Sequence, residues 1–336
     1  MARVPKKNSK KPSAIVITIV LAAFKRTDLL PHALNAIARQ DFPSSRFELI
    51  VVDDTASGQN KKVTDSFKGK ITNLIFISPG HQGAAKARIK AFAQAKGDII
   101  AFTDEDTLPK KDWLSQIKKA FDAHPEAAGI EGKVYTDTIK PLFSNAPENL
   151  HGGIYIGCNT HYRRAVLEKV NYYDPEFYFW REDTNLAFKA LTQGKIIFVP
   201  EVVTHHPAKS IAPVSLWKNL HHLKDDMLLF RRFPQKTVSF VGREWIRHAG
   251  VSAMAWLLVL AGYALDGWIG LALGIIIYGI FRTLLNLQKK RFTFKEGAQF
   301  LFITFVRDLA FPFYFVYYLI TVNVFNTPDF SPRMAQ

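Results

Sequence analysis

Carboxylates gather at three places in this 336-residue chain: Asp53-Asp54, Asp104-Glu105-Asp106 and Glu182-Asp183. The middle group ends the run Gly97-Asp98-Ile99-Ile100-Ala101-Phe102-Thr103, whose apolar part is too short for a surface helix and reads as a buried strand. Acids in Asp-x-Asp spacing suit a hard divalent cation, and such a cation usually keeps company with substrate phosphates. Ligand sites in open α/β sheets lie at the carboxyl ends of strands, where this group falls. Taken alone, an Asp-x-Asp is more often a solvated acidic turn. Glu182-Asp183 opens a predicted helix, where the macrodipole favours negative charge. The same carboxylates have the chemistry of a general base. His205-His206 offers neutral imidazoles that can join a metal site, although hard Mg²⁺ prefers oxygen.

These groups need elements to hold them. Residues 14–24 are β-branched and read as a first buried strand, and 29–39 as a helix with Asp28 placed to cap it. Strands are predicted over 47–52 and 73–77, an Ala-rich helix over 83–95 with Lys86, Arg88 and Lys90 near its start, and a helix over 111–123. Strands alternating with helices imply a parallel sheet with covered faces. After Pro125 a strand is expected over 128–136, a short strand between glycines over 152–157 and a helix over 163–170. A helix over 182–193 closed by Gly194 and short strands over 196–199 and 202–204 complete this part.

From residue 214 the character changes. Leu216, Leu220, Leu223, Met227 and Phe230 fall on one helical face among Lys218, Lys224, Arg231 and Arg232. Such a basic amphipathic helix lies in a membrane interface or packs on the domain. Residues 249–265 and 268–287 are apolar apart from Arg282, and with Asp266-Gly267 between them they fit a tight hairpin of two membrane spans. A third apolar stretch, 300–325, is broken by Arg307-Asp308, an ion pair that is expensive inside a bilayer. Residues 294–308 are therefore expected to be interfacial and 309–325 to form a third span. Basic residues flank the hairpin on its outer sides (Arg243, Arg247, Lys289, Lys290, Arg291), which puts the large N-terminal domain in the cytoplasm.

The net charge of +15 asks for an anionic partner. Much of the excess lies in the basic tail 1–13 and around the apolar segments, so lipid headgroups explain it better than nucleic acid. No zinc pattern, helix-turn-helix signal or RNA-binding aromatic signature is present. One cysteine, Cys158, excludes an internal disulfide and reads as a small buried hydrophobe. Residues 1–24 superficially match a signal peptide, but the run is β-branched and no small-x-small cleavage site follows it before Lys25.

In their order, several motifs resemble those of family 2 glycosyltransferases, the inverting GT-A-type nucleotide-sugar enzymes. They are Val51-Val52-Asp53-Asp54-Thr55-Ala56-Ser57-Gly58, Gly83-Ala84-Ala85-Lys86-Ala87-Arg88, Gly97 to Asp106, Gly157-Cys158-Asn159 and Trp180-Arg181-Glu182-Asp183. The resemblance covers about residues 14–211. It departs at Thr55-Ala56-Ser57, where the family often shows Gly-Ser sooner after the acid pair. It implies that Ala22, Phe24, Asp53 and Asp54 hold the nucleotide base and that Arg88 contacts the nucleotide. Asp104 would hold the ribose and, with Asp106, a Mg²⁺ or Mn²⁺ on the diphosphate, His206 or His205 completing the metal site. Asp183 would be the general base, with Glu182 orienting it or binding acceptor, and Asn159 and Trp180 would line the acceptor side. Glu105 is expected to point away.

The expected fold is therefore α/β: a GT-A-type, mostly parallel, Rossmann-like sheet flanked by helices over 14–211. An amphipathic helix and connector follow over 212–248, then an α-helical transmembrane region over 249–326 and a tail over 327–336. The expected protein is a multi-pass membrane enzyme with a cytoplasmic catalytic domain. It would move a sugar from a nucleotide-diphosphate donor, UDP-sugar favoured, to a lipid-linked or other membrane-proximal acceptor. A processive polysaccharide synthase is the competing enzyme; a nucleotidyltransferase or an inactive nucleotide-sugar binding module are competitors of other classes.

Overall fold

The computed structural model describes residues 15–55, 58–177, 180–286 and 290–322. The basic tail 1–13, the tail 327–336, Ala56-Ser57 and Tyr178-Phe179 lie outside the described residues. The chain divides into two compact units, Met1–Thr136 with Pro147–Pro207 and Asp137–Ala146 with Ala208–Gln336. The second unit thus takes up 137–146, a segment that the sequence reading assigns to the first.

The first unit is built on one sheet of eight strands: β1 (Ile17–Ala23), β2 (Phe47–Asp53), β3 (Leu74–Ile77), β4 (Ile99–Asp104), β5 (Leu108–Pro109), β6 (Gly129–Tyr135), β7 (Thr160–Arg163) and β8 (Ile196–His205). Their order is β3-β2-β1-β4-β7-β6-β8-β5. Among the described residues six α-helices accompany them: α1 (Leu30–Ala38), α2 (Gln59–Asp65), α3 (Ala84–Phe92), α4 (Trp113–Ala123), α5 (Arg164–Lys169) and α6 (Glu182–Ala190). β1 and β2 are buried at nearly every position because both sheet faces are covered. β1 pairs parallel with β2 on one side and β4 on the other. The chain steps outward from β1 to β3 and then returns across β1 to β4. This reversal opens a crevice at the carboxyl ends of β1, β2 and β4, where Asp53 and Asp104 end their strands.

Three details differ from the expectations. The glycine-flanked strand over 152–157 does not form. Gly152 and Gly153 take left-handed φ of 83° and 82°, and the buried Glu131 carboxylate gathers the N–H groups of Gly153, Ile154 and Tyr155. The strand comes later, as β7, and runs antiparallel between β4 and β6. Asp28 does not cap α1; it pairs with Arg26 at 3.2 Å. Helix α6 ends at Ala190, ahead of Gly194, with right-handed Leu191 as its cap.

In the second unit the expected amphipathic helix is broken into α7 (Ser215–Lys218), a 3₁₀ turn and α8 (Leu223–Arg232). Its apolar stripe is consumed inside this unit: Leu220 and Leu223 pack with Phe311. Helix α9 (Pro234–Asn286) is interrupted at Asp266 and Gly267, which have non-helical dihedrals. A Cβ built on Gly270 would lie 1.9 Å from the Gly262 carbonyl oxygen, and one on Gly274 2.5 Å from that of Leu258. Both contacts are centred on residue 266, so the two arms of α9 form an antiparallel hairpin whose backbones meet at glycines. Helix α10 (Phe294–Ile320) follows, opened by a Thr293–Glu296 capping box. Two helices, over Pro234–Thr283 and Phe294–Ile320, are long and apolar enough to cross a membrane.

The break expected at Arg307-Asp308 does not occur, and α10 runs through it. Asp308 is buried and compensated: it accepts from Tyr278 Oη at 2.6 Å and pairs with Arg307 at 2.8 Å and Arg282 at 3.3 Å. A buried charge so partnered does not force the helix apart.

Gly270→Val would push the hairpin arms apart. We expect it to destabilise the hairpin by about 1–3 kcal/mol, read as a lower melting temperature and faster proteolysis at the 266–267 turn in detergent. Gly250→Val, where a Cβ meets nothing within 4 Å, should leave both unchanged.

Candidate active site

The crevice holds two groups of polar residues. At the end of β1 and β2, Phe24, Lys25, Thr27, Asp54, Thr55 and His81 line a cleft of about 430 Å³. Phe24 and His81 stack with ring centroids 5.1 Å apart, and Lys25 lies over the Phe24 ring. Asp54 accepts from the N–H groups of Gln82 and Gly83 at 2.7 and 2.9 Å, so it holds the turn that leads into α3, near the end of the helix whose dipole favours its charge. Asp53 behaves differently. It is fully buried, and its carboxylate is bound by Thr55 N and Oγ1 and by Asn60 Nδ2, which corrects its expected role at the base. Asn60 in turn accepts from Thr27 Oγ1. Asp53 therefore shapes the cleft wall from behind, held there by Thr55 and Asn60. Ala22 contributes main chain only: its carbonyl accepts from Glu105 N at 3.1 Å.

The second group centres on Arg88. Its side chain, from the second turn of α3, is buried with 5% exposure. It reaches Asp104 Oδ1 at 3.0 Å, Glu182 Oε1 at 3.4 Å and Asp183 Oδ1 at 3.7 Å, and its guanidinium lies over the Tyr173 ring. Burial works against its charge, but Tyr173, Asp183, Asp104 and Glu182 more than offset this and raise its pKa well above the ordinary value. Glu182 and Asp183 occupy the first turn of α6, following Arg181, which adopts a left-handed φ of 62°. Such a conformation costs a non-glycine residue about 1–2 kcal/mol, and it turns the chain so that both acids face Arg88.

The loop after β4 is closed by Thr107, whose hydroxyl donates to Asp104 O and accepts from Asp104 N. β5 then pairs antiparallel with the end of β8, Leu108 opposite His205. This pairing carries His206 to Asp106, with Nε2 to Oδ1 at 3.6 Å. His205 instead stacks on Tyr135 at 4.7 Å, so the two histidines part company. Glu105 is buried, with its N–H on Ala22.

On the expected acceptor side, Asn159 needs correction. It is 1% exposed: its Oδ1 accepts from Trp113 Nε1, and its Nδ2 donates to the carbonyls of Lys133 and Val202. It locks β6, β8 and α4 together and has no group left to offer a ligand. Trp180 is half-buried, with the Arg181 guanidinium 4.8 Å from its ring centroid. Cys158 is buried, and burial pushes its thiol pKa up, consistent with a packing role. Two residues that sequence reasoning passed over stand against Asp183: Tyr173, which donates to Oδ1 at 3.0 Å, and Gly157. Gly157 lay inside a quoted motif; Tyr173, ten residues before Asp183, carried no signal.

Comparison with known proteins decides the lineage. Residues 18–171 match the family model "Glycosyl transferase family 2". That stretch, a little under half of the chain, carries a family 2 glycosyltransferase domain. The matched segment includes Asp54, Arg88, Asp104 and Asp106 and stops before Glu182. Poly(ribitol-phosphate) beta-N-acetylglucosaminyltransferase TarS of Staphylococcus aureus is 25% identical over 193 residues, covering 54% of this chain and 33% of that protein. Glycosyltransferase AglE of Haloferax volcanii is 30% identical over 101 residues, 30% of this chain and 33% of that one. The chain thus spans about a third of the length of these curated relatives. Among solved structures, mannosyltransferase PcManGT of Pyrobaculum calidifontis, in complex with GDP-Man and Mn²⁺, aligns with a TM-score of 0.61 at 18% identity. It covers 93% of this chain and 91% of that one. S. aureus TarS 1-349 with UDP aligns with a TM-score of 0.52 at 17% identity, over 89% and 91%. The fold is that of the GT-A glycosyltransferases.

In this glycosyltransferase domain the described residues include no ready-made cage of three or more acids, histidines or cysteines for a metal. The donor chemistry nevertheless fits a Mg²⁺ or Mn²⁺: Asp106 and His206 converge, with Asp104 two residues away on the same loop. Such ions bind through one or two carboxylates and take their remaining ligands from phosphate and water.

Gly157 explains the placement of Asp183. A Cβ there would lie 2.1 Å from Asp183 Oδ2 and 2.5 Å from Oδ1. Gly157→Ala must therefore displace the carboxylate. On the role proposed for Asp183 below, we expect turnover to fall by about 100-fold, with nucleotide affinity unchanged; steady-state kinetics and titration calorimetry check both. Burial, and next the Asp183 charge, push the Glu182 pKa up from 4.5 to about 8. The folded state then holds a proton that the unfolded chain loses at lower pH, so this stability contribution falls as pH rises from about 4.5 to about 8. The melting temperature of Glu182→Gln, relative to wild type in metal-free buffer, should climb through that window and level off above it.

Proposed function

We propose that the protein is an inverting glycosyltransferase that moves a sugar from a nucleotide-diphosphate donor, UDP-sugar favoured, to a lipid-linked or other membrane-proximal acceptor. The observation that carries this reading is the meeting of Asp104, Glu182 and Asp183 around buried Arg88, beside a cleft sized for a nucleoside. UDP in the TarS structure and GDP-Man in the PcManGT structure support a nucleotide-sugar donor of one base or the other.

The base enters the cleft of Phe24 and His81, with Asp54 at its wall. Asp104 faces the ribose and diphosphate, and Arg88 balances charge between donor and acids. Asp104, Asp106 and His206 would hold the divalent ion, which supplies Lewis-acid neutralisation of the leaving diphosphate. The acceptor hydroxyl attacks the anomeric carbon from the face opposite the diphosphate, which inverts the configuration. Asp183 takes the hydroxyl proton as the C–O bond forms and the bond to the diphosphate breaks. Glu182 stays with Arg88 and keeps Asp183 oriented, and Trp180 offers a face for an acceptor sugar. The α9 hairpin and α10 anchor the catalytic unit in a membrane with its site on the cytoplasmic side, which favours an acceptor delivered by the bilayer. Their number favours single transfer over extrusion of a growing polymer.

A panel of UDP-, GDP- and dTDP-sugars with Mn²⁺, assayed on full-length protein in nanodiscs for release of nucleoside diphosphate, tests the reading. One or a few donors should turn over, and Asp183→Asn should lower turnover by about 10³-fold or more while retaining nucleotide binding. Absence of both turnover and binding across the panel would sink the enzyme reading; full activity of Asp183→Asn would remove Asp183 as base.

A further inference from the structure

We propose that Tyr173 is a positioning residue for Asp183: its hydroxyl and the bare Cα of Gly157 together fix which carboxylate oxygen meets the acceptor. The inference rests on the reading of Asp183 as general base.

Asp183 is one-quarter exposed, and an unrestrained carboxylate there would rotate about its terminal torsion, a broad and roughly two-fold one. Three contacts remove that freedom. Tyr173 Oη donates to Oδ1 at 3.0 Å, Arg88 Nη1 approaches the same Oδ1 at 3.7 Å, and Oδ2 lies in the space left by the missing side chain of Gly157. Oδ1 is thereby committed to the protein. Among the described residues no side chain hydrogen-bonds to Oδ2, which is the oxygen offered to the acceptor proton.

Tyr173 is itself held. It is 4% exposed, its ring makes a T-shaped contact with Phe102 of β4 at 5.6 Å, and the Arg88 guanidinium lies 5.4 Å from its centroid. Phe102 lies two residues before Asp104 on the same strand. One ring therefore ties the strand bearing the donor-side acid to the helix bearing the acceptor-side base, across a gap that neither element bridges alone. Burial, and next the Asp183 charge, raise the pKa of the Tyr173 hydroxyl well above its ordinary value. It stays a proton donor to Asp183 throughout the working pH range and takes no part in proton transfer.

Tyr173→Phe in the full-length protein isolates the hydroxyl, since the ring keeps its contacts with Phe102 and Arg88. With the donor that the panel identifies, kcat is expected to fall by about 10-fold or more while donor KM and the affinity for UDP with Mn²⁺ stay within about twofold. A kcat within about twofold of wild type overturns the inference. So does a parallel loss of kcat and UDP affinity, which would mark Tyr173 as a general support of the site. Crystal structures of wild type and Tyr173→Phe give a reading independent of turnover: the carboxylate of Asp183 should turn away from its wild-type orientation, and an unmoved carboxylate overturns the inference. Asp183→Asn in parallel separates the two readings, because an active Asp183→Asn removes the base itself, whereas an inactive Asp183→Asn beside a fully active Tyr173→Phe removes only the positioning role.

Discussion

One buried guanidinium holds this site together. Asp104 and the adjacent pair Glu182-Asp183 come from two distant parts of the chain and repel one another across a poorly solvated space. Arg88 lies among them at 3.0, 3.4 and 3.7 Å. Removing one partner from such a network leaves uncompensated buried charge, typically at a cost of about 3–5 kcal/mol. Even with Arg88 present the balance is incomplete, since one cation faces three acids. Glu182 answers by holding its proton to a pKa of about 8. The site is thus short of positive charge, which suits the proposed binding of a divalent cation together with an anionic donor.

That constraint accounts for much of the surrounding architecture. α3 must bring Arg88 beneath the crevice, and Asp54 fixes the start of α3 by accepting from Gln82 and Gly83. α6 must begin abruptly with two acids, and Arg181 supplies the turn by taking a left-handed backbone. The antiparallel meeting of β5 and β8 sets His206 against Asp106. Each is a local conformation whose justification lies several ångströms away, at a charge it helps to aim.

The sheet was legible in the sequence because its strands are short apolar runs punctuated by Gly, Pro and acids, and both faces are covered. Two of the acid groups were legible for the same reason, since Asp53 and Asp104 stand where those runs stop, whereas Glu182-Asp183 open a helix. What could not be read was which way each side chain points. Asp53 and Asp54 are neighbours of identical type, yet one is sealed behind the cleft wall and the other lines it. Asn159 lies in a family motif but is spent on Trp113 and two carbonyls. The strand expected over 152–157 failed because two glycines took left-handed φ and Glu131 collected the loop's N–H groups, a long-range effect outside any local pattern. The helix break expected at Asp308 failed likewise, because its partners Tyr278 and Arg282 lie on another helix.

The hold of Asp54 on the turn before α3 bears on how the domain breathes. The carboxylate that lines the cleft also secures the turn leading into the helix on which Arg88 rides, about one turn further along. Fraying of that helix end would release the cleft wall and unbalance the acids in one event. Amide groups of Gln82 and Gly83 and those around Glu182 should therefore exchange with solvent as a single cooperative unit, so that the two halves of the crevice are present together or lost together.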